Sequence, residues 1–500
     1  MATFLSTTIP YANAGPHLGH AFEFVQADAF ARHLSRHDAV FVSSGTDENG
    51  LKIVQSAAAS GQTSAAMAQR NSAEFARLAR TLPLTVDRFV RTSTDPRHRA
   101  GAQELWRRMA DQGDIYSRDY TGDYCVGCEA FLAPDDLVRG RCPVHKVRPT
   151  ATRERNWFFR LSRYATDLGA AVADDRIRIW PPSRRNEMLG LIRGGLSDIS
   201  ISRSTDRVHG WGIPVPGDDS QVMYVWIDAL TNYVNALGWA DGDPDYERYW
   251  VRARRRIHVL GKDVSRFHAV YWPAMLMSAG LPLPTDLVVH GHVLLSGQKL
   301  SKTLGNVIDP FDLIGRYGAE ALRYLMLAEF SPWADADFTD QRLVARYNTD
   351  LAGGLGNLVE RVTAMVHRYR GGVVPGPTAA AGPLEHALLA DAKRLSAACE
   401  QALDRFDHRA AVRRLRELVR AVSAYLSRRA PWAETESGAL DTALHTLIDV
   451  LRTIGGQLAP ILPGASDRMT DALGLRDRTD IAGARVQARP HLFPRLELTW

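Results

Sequence analysis

Cysteine is scarce, at four in 500 residues. That excludes a disulfide-built scaffold and makes the reducing cytoplasm the expected compartment. Long apolar runs are missing as well. None reaches the ~18 uninterrupted residues of a membrane span. The start, Met1-Ala2-Thr3-Phe4-Leu5, lacks the basic region, apolar core and cleavage site of a secretory signal. The chain is therefore expected to be cytoplasmic, with no membrane partner. Neither sign of charge dominates. The 61 Lys+Arg and 56 Asp+Glu leave +5, which permits a nucleic-acid partner without arguing for one. A chain 45% hydrophobic and 23% charged has the composition of a globular protein, and disorder and low complexity are excluded as global states. The length predicts roughly three domains.

Lysine is the sharpest shortage. The six are Lys52, Lys146, Lys262, Lys299, Lys302 and Lys393, and the other 55 basic residues are arginine. A lysine that survives this bias marks a place where a compact, flexible ammonium is needed. Three of the six fall in two short glycine-containing loops, Gly261-Lys262-Asp263 and Gly297–Gly305.

Strand and helix signals alternate over the first 112 residues. Thr3–Ile9 and Ala39–Ser44 read as strands, and His17–Arg36 and Ser64–Leu78 as helices. This alternation predicts a doubly wound parallel sheet, an α/β fold. Residues 113–219 are richer in Tyr, Gly, Cys, Pro and Arg, and predict an insertion of short antiparallel strands. Val222–Val234 and Arg256–Leu260 resume the buried pattern, and Leu287–Leu295 reads as a further strand. After about Ala319 nearly everything is helical: Glu320–Phe330, Leu343–Tyr369, Leu384–Asp404, His408–Arg429 and Leu440–Gln457 predict an α-helical bundle.

Three motifs carry chemistry. Pro16-His17-Leu18-Gly19-His20 puts two imidazoles at a helix start, where free N–H groups and the positive dipole end favour phosphate. The plainer alternative is two capping or core histidines. Lys299-Leu300-Ser301-Lys302-Thr303 offers two ammonium groups with a hydroxyl between them, suited to closing over a triphosphate. The alternative is a solvated turn. Asp263, after the strand that ends near Leu260, suits ribose hydroxyls, or caps the next helix.

His-Leu-Gly-His near the start with Lys-Leu-Ser-Lys-Thr far downstream resembles the paired signatures of class I aminoacyl-tRNA synthetases. Thr8-Ile9-Pro10-Tyr11, Gly45-Thr46-Asp47-Glu48, Trp157–Ser162, Ser197–Arg203, Tyr224–Leu230 and Phe267–Pro273 are similar to the methionyl branch. The resemblance runs from Thr3 to Arg495.

The resemblance implies a Rossmann-type sheet split by an insertion and followed by a helical anticodon-binding bundle. Its divisions would be 1–112 and 220–290 for the catalytic sheet, 113–219 for the insertion, 291–342 for the catalytic loop and stem contacts, and 343–500 for the bundle. It implies that methionine is activated with ATP and passed to a tRNA bearing a CAU anticodon. His17, His20, Lys299 and Lys302 would be catalytic, with Gly19, Gly261, Asp263 and Ser301 also binding ATP and Mg²⁺ accompanying it. Ile9, Tyr11, Trp226, Ala229, Tyr233, Val264 and His268 would line the methionine wall, and Asp47 would hold the ammonium. An apolar, polarisable thioether suits aromatic walls, although without the resemblance Trp226, Tyr233 and Trp272 read as plain core aromatics. Asn357, Arg361 and Trp432 would read the anticodon, or be a solvated face and a packed indole.

Cys125-Val126-Gly127-Cys128 with Cys142-Pro143-Val144-His145 has the spacing of a zinc knuckle; the family commonly has a fourth cysteine where His145 stands, and a metal-free loop is the alternative. Other departures are Asn49, where the family usually has His, and Leu300 and Thr303 in the lysine loop. The appended dimerisation domain of some members is absent, so a monomer is expected. Two further readings remain open: a paralogue serving a non-translational acceptor, and a non-catalytic RNA-binding descendant.

Overall fold

The computed structural model describes residues 1–125, 130–132, 137–143, 146–300 and 307–498. The chain divides into two compact units, Met1–Glu23 with His37–His290, and Phe24–Arg36 with Gly291–Trp500.

The first unit is built on six parallel strands: β1 (Ala2–Ser6), β2 (Ala39–Thr46), β3 (Arg88–Arg91), β4 (Arg178–Trp180), β5 (Arg255–Gly261) and β6 (Asp286–His290), in the order β3-β2-β1-β5-β6-β4. Phe4, Leu5, Ile257, Val259, Leu287 and Val288 are fully buried. Such near-continuous apolar runs are what a parallel sheet covered on both faces requires. The chain moves outward from β1 through β2 to β3, then returns to the other side of β1 at β5. The order thus reverses between β1 and β5, where doubly wound sheets bind ligands beyond the carboxyl ends of their strands. Ser6 pairs with His258, so the segments leaving β1 and β5 emerge side by side.

β4 differs from the sequence expectation. It lies within residues 113–219, read as antiparallel insertion, yet pairs in parallel with β6. Asp286 explains the recruitment. Its buried carboxylate accepts from Arg178 Nη2 at 3.0 Å, Trp180 Nε1 at 3.2 Å and Arg255 Nε at 3.2 Å. Burial raises this carboxyl, but Arg255 and Arg178 outweigh burial and hold it below its ordinary range. The rest of the segment contains the antiparallel strands expected. Ile115–Cys125 and Thr150–Phe159 form a ten-residue ladder, flanked by Ala130–Leu132 and Ile199–Ser200. A second, three-stranded sheet joins Ser202–Ser204, Asp218–Met223 and Pro214–Val215. Trp157 Nε1 donates to Asp218 at 2.8 Å and ties the two sheets together.

The second unit opens with a small sheet in which Val293–Leu295 pairs with Gln298–Lys299 and Ala336–Asp337. The single strand expected over Leu287–Leu295 is therefore two strands in different sheets. Gly291 sits at the break, where a Cβ would meet the Ala334 carbonyl group at 2.3 Å. Helices follow, among them Pro310–Tyr317, Ala319–Glu329, Asp340–Tyr347, Asn357–Arg370, Pro383–Asp404, His408–Arg429 and Ser437–Leu458. A π-helical stretch, Asn348–Gly356, interrupts the run expected over Leu343–Tyr369. In the same unit Arg323, fully buried, pairs with Asp28 at 2.7 Å. No helix of the described residues is long and apolar enough to cross a membrane.

Candidate functional site

The segment leaving β1 is pinned at both ends. Thr8 donates from its amide and hydroxyl to Glu23 Oε1, at 2.8 and 2.5 Å, and the other Glu23 oxygen lies 3.0 Å from His290 Nε2. Tyr11 then forms an isolated parallel bridge with Asp47. The Asp47 amide donates to Pro10 O at 2.9 Å, and Ala12 N donates to Asp47 O at 2.8 Å. Asp47, 4% exposed, is thus clamped beside Tyr11. The next residue holds the turn. Buried Glu48 pairs with Arg91 at 2.7 Å and accepts from Thr46, Ser72 and Ser93. Gly45, still within β2, permits the close approach of β3, because a Cβ there would meet Val90 O at 2.2 Å.

Helix α1 (Leu18–Leu34) begins one residue after His17. The His17 and His20 rings stack at 3.8 Å, 18° from parallel. Each Nδ1 accepts from the backbone: His17 Nδ1 from Gly19 N, and His20 Nδ1 from His17 N, both at 3.1 Å. In the neutral ring the proton therefore sits on Nε2. The two imidazoles form a locked pair of Nε2–H donors. Gly19 is required here, since a Cβ would meet His17 Cε1 at 2.9 Å.

The segment leaving β5 makes a 3₁₀ turn at Lys262–Val264 with Asp263 exposed, then a π-helical stretch at Phe267–Tyr271. Phe267 stacks face to face on Trp226 at 3.7 Å, 8° from parallel. Both are half-buried, as are Ile9, Tyr11 and Val264, whereas Ala229, Tyr233 and His268 are buried. His268 Nδ1 lies 3.0 Å from the Val264 carbonyl, and its Nε2 lies 2.7 Å from the Tyr233 hydroxyl. Burial lowers the His268 pKa to about 4, so the ring is neutral at physiological pH. Nδ1–H then donates to the carbonyl, and Nε2 accepts from the hydroxyl. Burial also pushes the Tyr233 hydroxyl up, keeping it a donor. Trp272 is fully buried and belongs to the core. Sequence reasoning left Phe267 unassigned, although it stands next to His268 in the same motif.

A buried polar chain joins the two sides. Asn49 Nδ2 donates to Asp228 Oδ2 at 3.1 Å, and the other Asp228 oxygen lies 3.7 Å from His98 Nε2. Asp228 sits on the short helix Val225–Leu230 that carries Trp226 and Ala229.

Cys125 and Cys142 are each 1% exposed. Cys142 lies in a tight turn, its amide donating to Val147 O and its carbonyl accepting from Lys146 N, both at 2.9 Å. Two buried thiols suit a soft metal such as zinc. Cys128 and His145 lie outside the described residues, and among those described no cluster of three or more potential metal ligands occurs. Cys399 is a buried helix residue whose thiol burial pushes up to about 12, so it is inert.

In the second unit Lys299 is exposed on the short strand Gln298–Lys299, and Leu300 after it is buried. Ser301 and Lys302 lie outside the described residues. Asn357 and Arg361 are exposed one turn apart on the helix Asn357–Arg370. Trp432 is 51% exposed, on a 3₁₀ turn that follows a left-handed Ala430. Its indole is half exposed rather than packed into the core. Part of the arginine-rich helix before it has internal partners: Arg416 pairs with Asp350, and Arg429 with Glu385 and Glu434.

Comparisons with known proteins agree with this geometry. A family model described as class I tRNA synthetases (M) matches residues 3–148 and 127–363, and one described as the anticodon-binding domain of methionyl tRNA ligase matches 374–490. The chain is 41% identical to the methionine--tRNA ligase of Mycobacterium tuberculosis strain H37Rv, over 94% of this chain and 92% of that one. It is 38% identical to that of Brucella suis, over 98% and 97%. The solved Mycobacterium tuberculosis methionyl-tRNA synthetase in complex with methionyl-adenylate superposes with a TM-score of 0.93, at 38% identity, covering 99% of this chain and all of that one.

Proposed function

The chain belongs to the methionyl-tRNA synthetase family of class I synthetases, and from that premise we infer that it is a methionine–tRNA ligase. It activates L-methionine with ATP and transfers it to the 3′ end of a tRNA. The observation that carries the reading is the neutral Tyr233–His268 pair next to the Trp226–Phe267 stack, on the segment leaving β5, while the locked His17–His20 donors stand on the segment leaving β1. Between β1 and β5 lies the switch point of the sheet.

The chemistry runs without a protein nucleophile. Asp47 takes the α-ammonium of methionine as a charge-assisted hydrogen-bond acceptor. Ile9, Tyr11, Trp226, Ala229, Tyr233, Val264 and His268, with Phe267 added, surround the thioether. The substrate carboxylate attacks the α-phosphorus of ATP in line, an O–P bond forms, and the bond to the departing pyrophosphate breaks. Charge grows on the phosphoryl oxygens in that step. His17 and His20 meet it through Nε2–H, and Lys299 and Lys302 through ammonium groups, as preorganised donors do. Gly19 and Gly261 let the nucleotide approach the backbone, Asp263 takes ribose hydroxyls, and Ser301 contacts the phosphates. Mg²⁺ accompanying ATP would supply further neutralisation of the phosphate charge. The adenylate then esterifies a terminal ribose hydroxyl of the tRNA, releasing AMP.

Asn357, Arg361 and Trp432 read the CAU anticodon by hydrogen bonding and stacking on splayed bases. Cys125, Cys128, Cys142 and His145 would hold Zn²⁺, which would supply a structural cross-link within the insertion. The domain divisions are those set out from the sequence, with Arg178–Trp180 contributing a strand to the catalytic sheet. The enzyme acts as a cytoplasmic monomer. The test is charging with labelled methionine of two transcripts that differ only in CAU against another anticodon. CAU-dependent charging supports the reading. Equal charging of both removes the anticodon assignment.

A further inference from the structure

Asp228 and His98 are fully buried, and neither is explained by contact with a substrate. Asp228 Oδ1 and His98 Nε2 face each other across 3.7 Å, and neither atom has a hydrogen-bond partner among the described residues. Asn235 Nδ2 lies 3.2 Å from His98 Nδ1 and 3.1 Å from the His98 carbonyl. An amide nitrogen only donates, so Nδ1 accepts and the proton of the neutral ring sits on Nε2, aimed at Asp228. Asn235 is itself fixed, its oxygen accepting from Trp239 Nε1 at 2.6 Å. Gly101 leaves it room, since a Cβ there would lie 1.9 Å from Asn235 Oδ1.

The other Asp228 oxygen takes the Asn49 amide at 3.1 Å, and the Asn49 backbone N–H points at Asp47 Oδ1 at 3.4 Å. A buried carboxylate is costly, and burial raises the Asp228 carboxyl despite His98 and Asn49. A structural core would be served better by an apolar residue at this position.

We propose that Asp228 is a positioning residue for methionine. It fixes the helix carrying Trp226 and Ala229 against the turn carrying Asp47 through Asn49 on one oxygen, while its other oxygen faces His98 across 3.7 Å. Asn49 is then the link between the ammonium site and the aromatic wall. The proposal rests on the reading of Asp47 and Trp226 as methionine-binding.

The test is steady-state ATP–pyrophosphate exchange with the full chain, comparing wild type with Asn49→Ala, Asp228→Asn and the double variant. Each single change raises the methionine KM about tenfold and leaves the ATP KM within twofold. The double variant is no worse than the poorer single, because both remove one link. A methionine KM within twofold of wild type in Asn49→Ala overturns the proposal, as does a parallel rise in the ATP KM. If Asp228→Asn does not fold, Asn49→Ala decides alone. A wild-type protein that performs no exchange contradicts the parent reading instead, so the two failures are distinct.

Discussion

The Tyr233 hydroxyl donates to His268 Nε2 across 2.7 Å, and the opposite nitrogen of the same ring is held by the Val264 carbonyl. The ring is oriented from both sides and kept neutral by burial. In Tyr233→Phe the buried Nε2 loses its donor, a change worth about 1–3 kcal/mol. The expected result is a lower melting temperature and a raised methionine KM in exchange, with the ATP KM little changed. An unaltered methionine KM would separate this pair from the substrate wall.

Acid stability follows from the buried histidines. His268 is lowered to about 4 by burial, and His258 is held well below its ordinary value by burial, then by His268 and Arg256. The unfolded chain takes up protons near pH 6.5 while the folded chain does not, so the unfolded state binds more protons. Stability is therefore complete above about pH 6.5 and falls as pH drops toward 4. The slope is about 1.4 kcal/mol per pH unit for each histidine. Calorimetry of the first melting transition from pH 7.5 to 4.5 should show a falling midpoint. A flat profile would mean that these rings protonate in the folded state.

His20→Ala removes one of the two locked Nε2–H donors. Loss of a preorganised donor to developing charge costs about 10²–10³ in kcat. The methionine KM should move far less, which exchange kinetics will separate. His17→Ala should behave alike; each change also removes the acceptor of a backbone N–H, that of Gly19 in His17→Ala and that of His17 in His20→Ala.

Lys302→Ala should abolish detectable exchange, and Lys299→Ala should lower it strongly, while methionine binding measured by calorimetry persists. Unchanged exchange in Lys302→Ala would remove the loop from the chemistry.

Trp432→Ala should leave exchange intact and raise the KM for a CAU tRNA. Base–aromatic stacking is worth about 1–3 kcal/mol, which is roughly 5–150-fold. An unchanged tRNA KM would return this exposed indole to the ordinary surface.

Much of this was legible in the chain. His408–Arg429 was expected and found to the residue, because its apolar stripe and the Pro after it mark both face and end. Asp47 beside Tyr11 follows from two adjoining β segments. Arg178–Trp180 was not legible: three residues carry no periodicity, and Asp286, which holds them in the sheet, lies over 100 residues away. The break at Gly291 was hidden for a similar reason, since the close Ala334 backbone is known only from the fold. Phe267 stood inside a recognised motif, but its stack on Trp226 joins segments about 40 residues apart. The Asn49–Asp228–His98 chain joins three segments, and no local pattern announces it.

The most direct measurement is ATP–pyrophosphate exchange with each of the twenty amino acids and the folded, full-length protein. The account predicts exchange that depends on methionine and is weak or absent with the others. Folded protein that performs no exchange with methionine, or exchanges better with another amino acid, would contradict it.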